Sequence, residues 1–461
     1  MTQRAILTVD LGTTFFKVSL FDDGGELCAS ARVAPPIVHR SSVLWELAPE
    51  AFVKTLKLAV AETLAAAPQL RSKVAAISFA TQANSFTILD RAGKPLVPFI
   101  LWPDERAAGG TGVGDLLSGL TAFRRQTGVP ELGPTFAVAK LHHMLNGDAE
   151  LRRVAHSVRF LPDYWLEWLT GNAATEAGVA GLTAVCDISD LHWMPQALEL
   201  AGLGELRLPP VVRAGSDLGP LRTAAAEALG LPVECRVVMG ALDQYTGAIG
   251  VGNVAPGMVS ETTGTVLAVV GCATALEREP QPYFQGPGWS GERFYRMSFG
   301  SVSANILEWY QQGLADKPGY AELDIEAAAA AAGAGGISLR DAAMSGAVSE
   351  GFNGPAASRN RGNEVRCILE RVAHALAEHV AVVSGITPPA EIRCAGGGAR
   401  SDVWLQIKAD ITGIPMCALK CPEPTSLGAA MLAGAALEWG SMAELAAAWV
   451  KPRRIFEPCS G

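Results

Sequence analysis

Two short stretches of this chain combine strand-forming residues with a turn of threonine and glycine, a pattern suited to holding phosphate. The first, residues 5–22, contains Asp10-Leu11-Gly12-Thr13-Thr14 and then Lys17, and the second, residues 258–270, contains Thr263-Gly264-Thr265. Glycine lets the backbone approach a ligand closely, and threonine adds a hydroxyl beside exposed backbone N–H groups. Each stretch predicts a tight β-hairpin. Together they indicate a clamp for a polyphosphate.

Two aspartates at the ends of predicted strands are candidates for the chemistry. Asp243 follows a strand and begins a helix, with Gln244 beside it. A carboxylate there can accept the proton of a hydroxyl that attacks a γ-phosphate, although helix capping alone also explains an aspartate. Asp10 ends the first strand, where a carboxylate can hold Mg²⁺ or serve only as a turn residue. The two hairpins favour the catalytic interpretation of Asp243 and the metal interpretation of Asp10.

Further polar residues follow other predicted strands and suit a polyol. Gln82 and Asn84 supply amides, and Trp102 lies close in sequence to Asp104 and Arg106. Hydroxyl groups need hydrogen-bond donors and acceptors, and the C–H face of a polyol stacks on an aromatic ring. The alternatives are core packing for Trp102 and a simple ion pair between Arg106 and Asp104.

A glycine-rich turn near the C-terminus is a candidate site for a flat ring. Gly396-Gly397-Gly398-Ala399 precedes a predicted helix that starts at Asp402. Adenine and ribose would meet no side chain at such a turn, and Asp402 would lie nearby for a polar contact. A single glycine-rich turn is weak evidence, and the chain has no Gly-x-x-x-x-Gly-Lys-Ser/Thr sequence of a P-loop.

The pattern of apolar residues predicts the strands and helices that carry these candidate residues. We predict strands 5–10, 16–21 and 27–33, a helix over 49–66 and a strand over 74–79. This β-β-β-α-β order favours a mixed sheet covered by helices. A hairpin near the start of each half also indicates a duplicated fold with its active site in the cleft between the halves.

Composition excludes several classes of protein. The chain has 461 residues, of which 49% are hydrophobic and 18% charged, enough for two or three domains with sizeable cores. A net charge of −9 without a Lys/Arg run argues against nucleic-acid binding. Nine scattered cysteines and no visible signal peptide favour a reducing cytoplasm. Cys417 and Cys421 lie four residues apart without a second cysteine or histidine pair nearby, which makes zinc improbable. The longest apolar stretch, residues 427–437, is too short to span a bilayer.

At these motifs the chain resembles the FGGY family of carbohydrate kinases, within the actin-like ATPase superfold. Nine segments carry the resemblance, in order: residues 10–17, 82–90, 101–106, 161–164, 169–171, 175–176, 240–244, 263–265 and 396–402. The resemblance implies an α/β protein of two actin-like (ribonuclease H-like) domains, with mixed sheets flanked by helices. The N-terminal domain would cover residues 1–240, with sugar binding and the first phosphate motif. The C-terminal domain would cover residues 241–461, with the second phosphate motif and adenosine binding.

The resemblance also implies ATP-dependent phosphorylation of a sugar, with ATP and Mg²⁺ as cofactors. Asp243 would be the base and Asp10 the residue at the magnesium. The implied sugar contacts are Gln82, Asn84, Trp102, Asp104, Arg106 and Gln244. The implied ATP contacts are Gly12, Thr13, Thr14, Lys17, Thr263, Gly264, Thr265, Gly397, Gly398 and Asp402. No nucleic-acid or membrane partner is expected, and homodimer formation is left open.

Some positions depart from the xylulokinase subgroup, which the chain resembles most in overall pattern. That subgroup usually has Met-His where this chain has Ala83-Asn84, and Asn where it has Pro103. The expected substrate is a ketose or polyol such as D-xylulose, with other pentuloses, gluconate and glycerol as alternatives. A loop that helps to close the cleft in relatives is shortened here to residues 344–352. The alternative functions are a regulator that has lost catalysis and a chaperone-like ATPase.

Overall fold

The computed structural model describes residues 4–110, 112–277, 279–341 and 343–459. The chain forms two compact units, and each is assembled from three segments. The first unit comprises Met1–Gly250, Ala273–Tyr295 and Glu423–Val450, and the second comprises Val251–Cys272, Arg296–Pro422 and Lys451–Gly461. The predicted domains, residues 1–240 and 241–461, are continuous stretches, whereas the observed units interleave along the chain.

The first unit is built on a mixed sheet that carries the first threonine hairpin. Its strands run in the spatial order Asp217–Pro220, Arg236–Val238, Val74–Thr81, Ala5–Leu11, Phe16–Asp22 and Leu27–Val33, and Ala241–Leu242 also pairs with Val74–Thr81. The three N-terminal strands pair antiparallel, while Val74–Thr81 runs parallel to Ala5–Leu11. The predicted strands are confirmed, and each begins at its predicted residue.

A long helix covers this sheet because its apolar residues share one face. Helix Pro49–Ala66 has proline at its first position, where the missing N–H costs nothing. Phe52, Leu56, Val60 and Leu64 recur every fourth residue, and all four are fully buried in the core of the first unit. The helix predicted over 49–66 is therefore confirmed.

The rest of the first unit contains smaller sheets and helices. A second sheet has the order Val38–Ser41, Leu44–Leu47, Phe99–Ile100, Phe86–Leu89 and Ser157–Phe160, and two-stranded pairs join Thr175–Glu176 to Val211–Val212 and Cys186–Asp187 to His192–Trp193. A further strand spans Phe284–Pro287. The helices are Val113–Ser118, Phe123–Thr127, Ala137–Gly147, Ala149–Val154, Leu161–Thr170, Ala177–Gly181, Pro195–Leu200, Thr223–Leu229, Asp243–Gly250, Pro424–Ala436 and Met442–Trp449, with a 3-10 helix at Pro68–Lys73.

The second unit is built on a sheet that carries the second threonine hairpin. Its strands run in the order Phe294–Gly300, Leu267–Ala273, Val259–Thr263, Ile392–Ala395, Met416–Leu419 and Pro452–Phe456. A short pair joins Ser338–Leu339 to Phe352–Asn353. The helices are Ala304–Gly313, Tyr320–Ala329, Arg361–Ser384 and Asp402–Thr412, with 3-10 turns at Ala334–Gly336, Ala343–Ser345, Val348–Glu350, Ala356–Ser358 and Gly397–Arg400.

The two sheets repeat one plan, as the recurring hairpin predicts. In each, a hairpin strand pairs antiparallel with its partner and parallel with a strand from much later in the sequence. In each, the edge strand on the side of the parallel pair, Asp217–Pro220 in the first sheet and Pro452–Phe456 in the second, is antiparallel to its neighbour. Within the described residues, no helix is long and apolar enough to cross a membrane.

Candidate active site

The first hairpin brings Asp10 and Lys17 opposite each other. Asp10 pairs with Lys17 across the two strands, which leaves a four-residue loop from Gly12 to Phe15. A Cβ on Gly12 would lie 2.9 Å from the carbonyl oxygen of Phe15, so any larger residue would push the loop open. Thr14 at the tip is exposed. The loop is therefore tight, and its tip is open to solvent.

A network of charges surrounds Asp10. The ammonium of Lys17 lies 3.5 Å from the Asp10 carboxylate and 3.1 Å from Glu423, and Arg32 lies 3.1 Å from Glu423 on its other side. Burial raises the pKa of Asp10, Lys17 opposes this change, and Glu423 adds to it. Burial also disfavours the Lys17 ammonium, but Asp10 and Glu423 outweigh it and raise the pKa of Lys17. Lys17 is thus a firmly charged cation beside a buried carboxylate.

Asp243 begins the helix Asp243–Gly250 at the end of the short strand Ala241–Leu242. Its Oδ1 accepts a hydrogen bond from the backbone N–H of Gln244 at 2.7 Å, and part of its surface is open to solvent. Burial raises the pKa of Asp243 to about 7, the charge of Asp10 acts in the same direction, and the Gln244 N–H opposes both. The two aspartates are therefore close enough to interact electrostatically, and Asp243 can exchange a proton near neutral pH.

Glu176 holds the backbone that leads into Asp243. It is buried, and its carboxylate accepts hydrogen bonds from the N–H groups of Gly178 at 2.8 Å, Val179 at 2.9 Å and Leu242 at 3.3 Å. Burial raises its pKa to about 7, although all three N–H groups favour the carboxylate. Residues 175–176 belong to the segments that resemble the family, but their sequence alone indicates no role for Glu176. We find that Glu176 fixes the residue directly before Asp243.

Gln82 and Trp102, predicted to contact sugar, are bonded to the first hairpin. The Gln82 amide donates to the carbonyls of Leu11 at 3.1 Å and Gly12 at 3.3 Å. The Trp102 indole N–H donates to the Thr13 hydroxyl at 2.7 Å. Ser85 joins the two residues, because its hydroxyl donates to Gln82 and accepts from the backbone N–H of Trp102. These side chains therefore brace the turn of the first hairpin, and the face of the Trp102 ring is the part of that side chain left for a ligand.

Asn84 and Lys140 tie the same loops to helix Ala137–Gly147. Asn84 has a φ of 57°, a left-handed conformation that asparagine tolerates better than most residues, and its Oδ1 accepts from the N–H of Ala137 at 2.9 Å. The fully buried Lys140 donates to the carbonyls of Asn84 at 2.9 Å, Leu101 at 2.8 Å and Trp102 at 3.4 Å. The Nδ2 of Asn84 has no partner within the described part of the chain, so it is available to a ligand.

Asp104 and Arg106 form the ion pair that the sequence left as an alternative. The Arg106 guanidinium bonds Asp104 at 2.7 and 2.9 Å and Glu46 at 3.0 Å. Burial works against the Asp104 carboxylate, but hydrogen bonds from Arg106 and from the Trp45 N–H at 2.8 Å outweigh it and lower its pKa. Most of the hydrogen-bonding capacity of this pair is therefore used inside the protein.

In the second unit, a buried ion pair supports the second hairpin. Lys408 lies 2.7 Å from Glu261 and donates to the Thr263 hydroxyl at 2.7 Å, and both charged side chains are fully buried. The Thr263 hydroxyl in turn donates to Glu261 at 2.6 Å. The Thr263 side chain is thus committed to the sheet. Gly264 and Thr265 form the turn, whose Gly264 carbonyl accepts from the Ser303 hydroxyl at 2.7 Å, and Thr265 is exposed.

The glycine-rich turn lies against the same hairpin. Gly396 has a φ of 79°, and a Cβ there would lie 2.6 Å from the Thr263 carbonyl oxygen. A Cβ on Gly398 would lie 2.8 Å from the Thr263 side chain, whereas Gly397 has open space. The second unit therefore brings together Thr263, Gly264, Gly397 and Gly398. Asp402 begins the next helix, where Arg453 at 2.8 Å and Arg454 at 3.2 Å bind its carboxylate.

The comparisons with known proteins identify the class to which these two units belong. The N-terminal domain of the FGGY family of carbohydrate kinases matches residues 5–250, and its C-terminal domain matches residues 262–437. A glycerol kinase from Geobacter sp. (strain M21) is 30% identical, over 98% of this chain and 94% of the relative. A xylulose kinase from Bacillus subtilis (strain 168) is 25% identical, over 99% of this chain and 93% of the relative.

A solved structure, ligand-bound xylulose kinase from Lactobacillus acidophilus, has the same fold. Its TM-score is 0.87 at 22% identity, covering 99% of this chain and 94% of that one. The fold is that of the actin-like ATPases, which confirms the predicted fold class. The chain belongs to the FGGY family of carbohydrate kinases. It is a phosphotransferase that acts on a sugar or polyol, and this family membership implies the use of ATP.

Proposed function

We propose that this kinase transfers the γ-phosphate of MgATP to a primary hydroxyl of a ketose or polyol, with Asp243 as the general base. The observation that carries the proposal is the environment of Asp243. Its carboxylate is partly open to solvent, its pKa is raised to about 7, and the charged Asp10 lies close enough to contribute. A base whose pKa lies near the working pH combines a large deprotonated fraction with useful proton affinity.

The residues around Asp10 fit a magnesium ion bound largely through phosphates and water. Mg²⁺ prefers oxygen ligands and is usually held by one or two carboxylates together with substrate phosphates. Asp10 is buried beside a second raised-pKa carboxylate, an arrangement that a divalent cation would stabilise. When bound, the ion would neutralise charge on the transferred phosphoryl group.

The protein's own groups would then orient the reactants, because phosphoryl transfer depends mainly on positioning and charge neutralisation. The backbone of Gly12 and the hydroxyls of Thr13 and Thr14 would contact phosphate, with Lys17 supplying positive charge. Gly264, Thr265 and the Gly397-Gly398 turn would serve the same nucleotide. Three expectations from the sequence stay predictions: an active site in the cleft between the halves, a cytoplasmic compartment and a homodimer.

For the acceptor we propose a xylulose-like ketose. Among the described residues that were predicted to contact sugar, the side-chain groups without a protein partner are the Asn84 Nδ2, the Trp102 ring face and Gln244. The Asp243 carboxylate accepts one hydrogen bond, from the Gln244 N–H, and is partly open to solvent. Glycerol is the main competing acceptor, because the glycerol kinase from Geobacter is more identical to this chain than the xylulose kinase from B. subtilis. Gluconate and other pentuloses complete the test panel.

A coupled assay for ADP release, run with and without each compound of the panel, tests the proposed function. D-xylulose-dependent release at a higher kcat/KM than with glycerol, gluconate or other pentuloses is expected. ADP release that depends on glycerol instead would overturn the proposed acceptor, whereas the proposed kinase reaction would stand. ADP release without any sugar would indicate an ATPase, and binding of sugar or nucleotide without turnover would indicate a regulator.

A further inference from the structure

A pocket rich in arginine lies in the first unit and shares no residue with the candidate active site. It has a volume of about 580 Å³. Its charged and titratable lining residues are Arg91, Arg152, Arg153, His156, Glu205 and Arg207. The lining thus contains four arginines and one glutamate, and Glu150 binds one of the arginines from outside it, although the chain as a whole carries a net charge of −9. The local field of this pocket is opposite in sign to the charge of the protein.

The backbone that carries these arginines is well fixed. Arg91 lies in a turn in which the Asp90 carboxylate accepts from the N–H groups of Ala92 at 2.8 Å and Lys94 at 2.9 Å. Arg207 is held against the neighbouring strand, because its N–H donates to the His156 carbonyl at 2.9 Å and its carbonyl accepts from Val158 at 3.1 Å. Binding a ligand would therefore require the ordering of side chains only, which keeps the entropic cost small.

Two of the four guanidinium groups have partners, and the other two have none within the described residues. Arg153 binds Glu150 through two hydrogen bonds of 2.9 and 2.5 Å. Arg152 donates to the Leu145 carbonyl at 3.2 Å and to the Asn146 side chain at 2.5 Å. The Arg91 and Arg207 side chains have no hydrogen-bond or ion-pair partner among the residues that the structure describes.

We propose that this pocket binds a small anion of the phosphate class: inorganic phosphate, pyrophosphate or a phosphorylated small molecule. A planar guanidinium group can donate two parallel hydrogen bonds to two oxygens of a phosphate. The guanidinium groups of Arg91 and Arg207 together suit an anion with two or more negative charges. The volume lies in the range of small-ligand pockets. The strongly negative chain disfavours a nucleic acid as the occupant. The site does not depend on the assignment of the ATP and sugar contacts.

Calorimetric titration of the full chain with pyrophosphate and with inorganic phosphate tests this site. The pocket variant is Arg91→Gln/Arg207→Gln. The matched control is Arg71→Gln/Lys73→Gln, which removes the same charge from two exposed residues of the same unit. Binding at a nucleotide site is common to all three proteins, so the contribution of the pocket is the part that differs.

Saturable binding of pyrophosphate is expected, weakened at least about tenfold in the pocket variant and less than about twofold in the control. Identical titrations of the wild type and the pocket variant would overturn the proposal, as would an equal loss in the control or no saturable binding at all. If circular dichroism shows that the glutamine pair does not fold, Arg91→Lys/Arg207→Lys replaces it. The lysine variant keeps both positive charges and loses the two planar guanidinium groups. Wild-type affinity of this variant for pyrophosphate would overturn the proposal. A phosphorylated sugar that binds more tightly than both inorganic anions would identify the phosphorylated small molecule as the occupant.

Discussion

Lys140 gives the most quantitative prediction, because its burial has opposite consequences for stability and for activity. The side chain is fully buried and donates to three backbone carbonyls. Burial lowers its pKa from 10.5 to about 7, while Asp104 acts against this change and Arg106 acts with it. Such a change corresponds to about 5 kcal/mol of unfavourable free energy when the ammonium is kept charged in the fold.

Replacing Lys140 by methionine removes this cost and also removes the tether. The Leu101 carbonyl keeps a second donor, the N–H of Asp104 at 3.1 Å, whereas the carbonyls of Asn84 and Trp102 lose the one donor they have among the described residues. Two unsatisfied carbonyls cost about 2–6 kcal/mol together. Near pH 7 the two effects oppose each other, so we expect Lys140→Met to change the free energy of unfolding by no more than about 3 kcal/mol. The sugar kcat/KM should nevertheless fall about tenfold or more, because both loops with sugar-site candidates lose their anchor.

The pH dependence of stability distinguishes the titration of a buried Lys140 from a mere change of packing in Lys140→Met. Between pH 7 and about 10, the unfolded chain keeps the Lys140 proton while the folded chain releases it, so stability rises with pH. The wild type should therefore gain about 2 kcal/mol relative to Lys140→Met between pH 7 and pH 9. Urea unfolding of both proteins at the two pH values measures this difference. The contributions of all other titrating groups are common to both proteins and cancel. Parallel pH profiles for the two proteins would refute the reasoning.

Three further predictions concern residues whose partners are now known. Asn84→Asp keeps the acceptor for the Ala137 N–H and removes the free amide donor, so it should fold normally and lower the sugar kcat/KM about tenfold, with the ATP KM unchanged. Asn84→Ala should in addition lower the melting temperature, and equal melting temperatures of the two variants would show that the hydrogen bond from Ala137 does not stabilise the fold. Asp10→Ala should raise the Mg²⁺ concentration needed for half-maximal rate and weaken the binding of MgATP more than that of the sugar. A change in the KM for the sugar alone would show that Asp10 belongs to the acceptor site. Glu176→Gln places an amide against backbone N–H groups and should lower the free energy of unfolding by about 1–3 kcal/mol, measured by urea denaturation; wild-type stability would show that the contact with Leu242 contributes nothing.

Much of the fold follows from local pattern. The four-residue spacing of Phe52, Leu56, Val60 and Leu64 predicts the helix that the structure has over Pro49–Ala66. The strand–turn–strand pattern likewise predicts both threonine hairpins. Segment 423–450, in contrast, returns to the first unit although it follows the whole of the second unit's central segment. No local periodicity reports such a return, because it depends on packing between residues far apart in sequence.

The candidate site shows the same limit. Asp10, Lys17 and Asp243 could be chosen because each lies at a strand end or in a hairpin. Glu423 could not be chosen, since it meets Lys17 from 406 residues away. The polar types of Gln82 and Arg106 predict hydrogen bonding but do not say to what, and the structure gives both of them protein partners. A sequence records which groups can bond, whereas the fold decides which of them are left free for a ligand.

The account rests on Asp243, and the rate of phosphoryl transfer in Asp243→Asn tests it most directly. The amide keeps the shape of the side chain and cannot take a proton, so kcat should fall by roughly 10²–10⁴ while the affinities for ATP and sugar stay within about threefold. The wild-type rate should rise with pH through about 7, as Asp243 loses its proton, and this rise should vanish in the variant. Asp115→Asn, at an exposed aspartate of the same unit, serves as the control and should behave as the wild type. A rate for Asp243→Asn within tenfold of the wild type, with the same pH profile, would contradict the central claim.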